Sequence, residues 1–156
     1  MNITLRRTAL EDLPELFGFQ QDEEAIRLAA FTPENHGVLS AYLEKYTPFL
    51  SNPTINMQTI LVDQIIIGSI AKFEIEGEAE ISYWIDKKFW GKGVASRALA
   101  KFLELETTRP ILGRVAFDNI GSQRVLEKCG FVKIGTDKGF ANARQAEIEE
   151  YIYRIG

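Results

Sequence analysis

The chain has 156 residues, 46% hydrophobic, 26% charged and 11% aromatic, a balance that suits one globular domain and excludes a disordered, highly charged segment. Lys and Arg number 18 against 22 Asp and Glu, so the formal net charge of −4 argues against a generally basic nucleic-acid binder. A single cysteine, Cys129, and a single histidine, His36, allow neither an internal disulfide nor a Cys/His metal cluster, so no metal is expected.

The opening residues lack the cationic-then-apolar order of a signal peptide, and no apolar run reaches membrane-spanning length. A soluble, cytoplasmic protein with neither nucleic acid nor membrane as partner is expected, folded as one domain over residues 1–156. Ile3 and Leu5 alternate with polar residues as a strand. Leu10, Leu13, Leu16 and Phe17 then recur at helical spacing, with Thr8 as the N-cap and Glu11 as the third residue of a capping box. A second helical stretch includes Ile26 and Leu28. A third spans Pro33 to Tyr46, with Val38, Leu39, Tyr42, Leu43 and Tyr46 on one face. Ile55 to Val62 and Ile65 to Phe73 flank Asp63-Gln64 as a hairpin, and Glu74 to Gly77 turns the chain into a strand over Ala79 to Ile85.

A helix over roughly Gly91 to Glu106 follows, with Val94, Ala95, Ala98, Leu99, Phe102 and Leu103 as its apolar stripe. Leu112 to Phe117 reads as a strand, Ile120 to Cys129 as a helix stopped by Gly130, and Phe131 to Gly135 and Ala146 to Ile155 as closing strands. The sum is a mixed α/β domain.

The stretch from Ile81 to Ser96 carries the chemistry, because a strand there passes through a glycine-bearing turn into a helix. The first helical turn leaves backbone N–H groups unpaired at the positive end of the helix dipole, and Gly91 and Gly93 remove the Cβ atoms that would hold a phosphate away. Lys87, Lys88, Lys92, Arg97 and Lys101 make this segment basic on an acidic chain, which steers a polyanion to one helix end. A Walker loop fails, since Asp86 and Gly93 stand where it needs Gly and Ser or Thr. A dinucleotide fingerprint comes closer: Gly91-Lys92-Gly93-Val94-Ala95-Ser96 matches it up to the last position, and Asp118 lies where a ribose-binding acid would stand. It stays open as a minor alternative, with the expected meander of strands against it.

Trp90-Gly91-Lys92-Gly93-Val94-Ala95 resembles the acetyl-coenzyme A signature of the GNAT superfamily of N-acetyltransferases, with Trp in the place of Gln or Arg. The Trp-Gly-Lys-Gly form is similar to the branch containing the RimJ and RimL ribosomal-protein N-terminal acetyltransferases. A second superfamily pattern maps onto Asn119, Ser122, Val125, Leu126, Gly130 and Phe131, with Leu126 where many relatives carry a proton-donating tyrosine. The resemblance implies a GNAT-like α/β domain whose twisted, mostly antiparallel sheet has helices on both faces. It implies direct attack of a primary amine, on a protein N-terminus or a small molecule, on the thioester of acetyl-CoA.

On that resemblance, Phe89 through Ala95, with Ser96, hold the pyrophosphate by backbone groups. Trp84 and Ile85 end a strand, commonly bulged in this fold, beside the thioester. The Asn119 carboxamide meets the pantetheine arm. Ser122 replaces the missing tyrosine as general acid, or merely caps its helix at the N–H of Val125; Glu80, on the same strand face as Glu78, is the preferred base, acting through water. The acceptor pocket is expected from Pro33 to Leu50 and from a late loop at Thr136 to Arg144, with Tyr42, Tyr46, Phe49 and Phe140 as lining, and with Asp22, Glu23 and Glu24 able to attract an ammonium. An acyl-CoA-binding or sensing module without efficient catalysis is the competing reading, and the oligomeric state is left open.

Overall fold

In the computed structural model, which describes residues 1–156, Ile3 and Leu5 open the chain as β1 (Ile3–Arg7), with Ile3 buried under the sheet. The turn that follows is capped differently from the expected Thr8–Glu11 box. Thr8 is drawn into the sheet, its Oγ1 lying 2.9 Å from that of Thr59, and Ala9 takes the N-cap position of a short 3-10 turn over Leu10–Asp12. The Asp12 carboxylate accepts from the N–H of Ala9 at 2.8 Å, from Arg6 at 2.7 and 2.9 Å, and from the hydroxyl of Thr59 at 3.1 Å. A carboxylate with four donors outcompetes a surface glutamate for this role.

These donors, the Arg6 bond first among them and burial opposing, hold the Asp12 carboxyl below the ordinary aspartate range. Its contribution is therefore complete above the unfolded-state value near 4 and is lost as pH falls through the lower folded value. Arg6 is half exposed, which screens the ion pair, and the buried hydrogen bonds carry most of the effect. Asp12→Asn should lower the unfolding free energy by about 2 kcal/mol at pH 7 and flatten its decline below about pH 4. Urea titrations at pH 7 and pH 3.5 measure both, and equal acid sensitivity in the two proteins would refute the assignment.

The chain continues as α1 (Leu13–Phe19), α2 (Glu23–Ala29, capped by Asp22) and α3 (Leu39–Tyr46). The expected third helix begins only at Leu39, because the N–H groups of His36 and Val38 close turns onto Pro33 and Asn35. Val38 and Leu39 stay exposed, leaving Tyr42, Leu43 and Tyr46 as the packed stripe. Strands β2 (Asn56–Val62) and β3 (Ile65–Ile75) are joined at Asp63-Gln64, both with positive φ, the conformation of a tight hairpin turn. Then come β4 (Glu78–Ile85), a 3-10 turn at Lys87–Phe89, α4 (Val94–Leu105), β5 (Ile111–Ala116), α5 (Ile120–Lys128), β6 (Val132–Ala141) and β7 (Ala146–Ile155). β6 runs beyond the expected Gly135 because β7 pairs with it as far as Ala141↔Ala146. Most of the expected late loop is thus hairpin.

The seven strands lie in the order β1-β2-β3-β4-β5-β7-β6, and every neighbouring pair is antiparallel except β4 and β5. One face packs Ile60, Ile70, Ile81 and Ile111 against Val94, Leu99 and Phe102 of α4 and Leu126 of α5. The other buries Met57 and Ala71 under Leu13 and Leu16 of α1 and Tyr42 of α3, while Ala30, just after α2, packs on Ala116 and Ala141. The helices therefore cover both faces, and this apolar burial is the main source of stability. The parallel pair β4/β5 holds only at Ala79↔Ile111, Glu80↔Leu112 and Ile81↔Gly113. Beyond it the two strands splay, and Ser82 to Ile85 have no strand partner on the β5 side, where the carbonyl of Ile85 instead accepts from Trp90 Nε1.

Candidate active site

Gly91 and Gly93 both take positive φ, 74° and 77°, in the turn that opens α4, and a Cβ built on either meets no protein atom within 4 Å. The space is open where a side chain would fill it. None of the backbone N–H groups from Gly91 through Ser96 has an acceptor in the protein, since the α4 ladder begins with the N–H of Arg97 on the carbonyl of Gly93. Left-handed glycines and a helix N-terminus thus present a run of free donors of the kind that holds phosphate oxygens. Ser96 is buried, its hydroxyl bonded back to the carbonyl of Gly93 at 3.2 Å. Trp90 ties the loop to β4 through Nε1 on the carbonyl of Ile85 at 3.1 Å, and Phe89 packs on the main core with Lys92 Nζ 5.6 Å from its ring centre.

The cationic patch is smaller than the sequence suggests. Lys87 is paired with Glu24 at 2.8 Å and Asp22 at 3.8 Å, so two of the three carboxylates expected to attract an ammonium are engaged by a lysine. Lys88, Lys92 and Lys101 have no carboxylate partner, and Arg97 donates to the carbonyl of Met1.

A cleft of about 510 Å³ passes through the β4/β5 splay, joining the two faces of the sheet. On the α5 side it is lined by Tyr83, Gly113, Val115, Asn119, Ser122 and Leu126. Tyr83 Oη lies 2.7 Å from Ser122 Oγ, and burial pushes the phenol up to about 12, the Ser122 bond acting the other way. Sequence reasoning missed Tyr83; the period-2 alternation that puts it on the α5 face with Ile81 and Ile85 was available, but its contact with Ser122 was not. Leu126 is buried with its methyls against Gly113, where an added Cβ would stand 3.1 Å from them.

Asn119 is the N-cap of α5: its Oδ1 accepts from the N–H of Ser122 at 3.3 Å and its Nδ2 donates to the carbonyl of Leu28 at 3.4 Å. Ser122 is therefore not the helix cap. The expected bulge in β4 is absent too, because the β3/β4 register runs unbroken from Ile75↔Glu78 to Gly68↔Ile85 and the irregularity falls between β2 and β3. The indole of Trp84 points to the opposite face, donating to the carbonyl of Phe19 at 3.1 Å near His36, so only its backbone borders the splay.

On the α3 side the lining comes from Tyr42, Tyr46, Phe49, Phe73, Ser82 and Trp84, with Lys45 and Arg114 as its cations. Phe140 is exposed, and no residue of the segment Thr136 to Arg144 lines the cleft, because β6 and β7 pair away from it. Glu80 is buried and its Oε1 takes the Nε of Arg114 at 2.7 Å; Glu78 is exposed. Nη1 of Arg114 reaches Glu150 at 3.2 Å and Asp137 at 3.4 Å. Burial raises the Glu150 carboxyl above the ordinary range, with Arg114 opposing. Asp118 forms a two-pronged pair with Arg144 at 2.8 and 2.9 Å. With that residue engaged and a single parallel strand pair in the sheet, the dinucleotide-fold alternative is excluded.

Residues 2–132 match the acetyltransferase (GNAT) domain family. The uncharacterised N-acetyltransferase p20 of Bacillus licheniformis is 27% identical over 98% of this chain and 92% of its own. Among solved structures, RimL, a ribosomal L7/L12 alpha-N-protein acetyltransferase in complex with coenzyme A, superimposes with a TM-score of 0.86 at 18% identity, covering 99% of this chain and 94% of its own. Spermidine N-acetyltransferase from Vibrio cholerae, in complex with CoA and spermine, gives 0.81 at 21% identity, covering 98% and 94%. No helix of the chain is long and apolar enough to cross a membrane. The cradle before α4, the splay and the family match converge, and the chain belongs to the GNAT family as an acetyltransferase.

Proposed function

We propose that the protein transfers an acetyl group from acetyl-CoA to a primary amine by direct attack within the splay. The observation that carries this reading is the run of free N–H groups from Gly91 to Ser96 at the start of α4, the helix that follows the strand along which the cleft opens. Acetyl-CoA supplies the activated carbonyl and the thiolate leaving group. Gly91 to Ser96 bind its pyrophosphate by backbone donors, with Lys88 and Lys92 adding charge; the expected N–H groups of Phe89 and Trp90 are taken by the carbonyls of Asp86 and Lys87 and do not contribute. The remaining hydrogen and lone pair of the Asn119 carboxamide serve the pantetheine arm. The unpaired edge of β4, where strand alternation turns the N–H of Ile85 to the β5 side and that of Trp84 to β3, orients the thioester and offers a donor to its oxygen.

Ser122 relays a proton from cleft water to the departing thiolate, so that no alkoxide is left behind. Tyr83, 2.7 Å away, positions its hydroxyl and remains a neutral phenol at working pH, which restores beside Ser122 the hydroxyl that Leu126 lacks. Glu80 does not itself line the cleft; with Oε1 held by Arg114, which does, and Oε2 without a protein partner, it receives the amine proton through water. Glu150 beside it retains a proton more readily than an ordinary carboxylate.

Thiol release that depends on added amine tests the reading. Ser122→Ala should lower kcat roughly 10²-fold while leaving acetyl-CoA affinity within about threefold, and Tyr83→Phe should lower kcat less and leave KM for acetyl-CoA unchanged. Equal losses in kcat and affinity would make the pair structural. Tight acetyl-CoA binding with no thiol release for any amine would instead identify an acyl-CoA-binding module.

A further inference from the structure

Taking the acetyl-transfer reading as given, we infer that the acceptor is a small primary amine that itself carries a carboxylate or comparable monoanion on an apolar or aromatic body. The side chains lining the cleft include two cations, Lys45 and Arg114, and not one carboxylate. A polyamine entering a cleft surrenders water from several ammonium groups and needs a carboxylate for each. This cleft offers the reverse on its α3 side: Lys45 takes part in no ion pair, its Nζ lying 5.3 Å from the ring centre of Tyr46.

Towards the splay, by contrast, the cation is not free. Arg114 is the first β5 residue beyond the last β4 pair, and behind it stand Glu80, Glu150 and Asp137, so the corner holds more negative than positive charge. An ammonium is favoured near the splay, where the acetyl carbonyl must lie, and an anion is favoured towards Lys45. Between them Tyr42, Tyr46, Phe49 and Phe73 form an aromatic wall that suits an apolar body. An amino acid has these three parts in this order, while a polyamine brings a second cation to the lone lysine.

Thiol release at pH 8.5 from acetyl-CoA with L-phenylalanine, L-leucine, their amides and spermidine tests the assignment. Each acid should exceed its amide in kcat/KM by about tenfold, and spermidine should rank last. Ionisation cannot produce that order, because the amides have the less basic and more often neutral amine. Lys45→Glu should raise KM for the acids about tenfold with little change in kcat, bringing each acid/amide ratio near one. Spermidine or the amides ranking first, or a preference that survives Lys45→Glu, overturns the inference and leaves acetyl transfer standing. Melting curves with acetyl-CoA separate the two levels: a missing thermal shift, or a shift with no thiol release from any amine, removes the transferase reading and this inference together.

Discussion

Gly93→Val should give a folded protein whose melting temperature no longer responds to acetyl-CoA. In the natural chain, a ligand present at a hundred times its Kd adds about 2.7 kcal/mol, which for a domain of this size raises the melting temperature by about 5–10 °C. The substitution acts twice. At φ 77° a valine is strained, costing roughly 2 kcal/mol and a few degrees in the free protein. Its side chain also projects into the open space beside the free N–H groups of Gly91 to Ser96, where no protein atom lies within 4 Å of the Cβ. The fold survives because nothing in the protein is displaced. Gly93→Ala separates the two effects, since it keeps most of the strain and fills less of the cradle, and it should retain part of the shift. A full acetyl-CoA shift in the valine variant would mean that the phosphates lie elsewhere.

That cradle was legible in the sequence because its cause is local: two glycines, a strand before them and an apolar stripe after them dictate a helix N-terminus with free donors. β7 and α5 were legible for the same reason, their periodicity and flanking glycine setting their ends. What stayed hidden depends on contacts distant in the chain. Lys87 reads as part of a phosphate patch until α2 brings Glu24 to 2.8 Å. Glu80 reads as a free base until β5 places Arg114 on it. Asp12 displaces Glu11 as the capping carboxylate only because Arg6 and Thr59 converge there. The Tyr83–Ser122 pair joins residues 39 apart across the splay, and the alternation of β4 alone could not disclose it. Phe140 carries the converse lesson: an aromatic in a segment expected to be a loop lay on a long hairpin whose pairing holds it in solvent.

The most damaging single methyl group should be the one added by Gly68→Ala. Gly68 sits where β3 changes register against β2 and pairs with Ile85 on β4, and the carbonyl of the preceding Ile67 accepts from the N–H of Asp86 at 2.8 Å. A Cβ there would stand 2.2 Å from the carbonyl oxygen of Trp84 and 3.0 Å from the Cα of Ile85. Both are backbone atoms, so no rotamer change relieves the clash and β4 itself must move. The segment it would push away carries the free edge of the splay and, through the Trp90–Ile85 bond, the loop that leads to Gly91 and Gly93. Stability should fall by about 3–4 kcal/mol, or about 10 °C in melting temperature. Acetyl-CoA binding should weaken even under conditions where the variant remains folded. Gly18→Ala is the control: its Cβ meets nothing within 4 Å in α1, and the exchange should be neutral or stabilising by up to about 1 kcal/mol. If Gly68→Ala melted within 2 °C of the natural chain, the close approach of β3 and β4 would not be what holds the end of β4 in place.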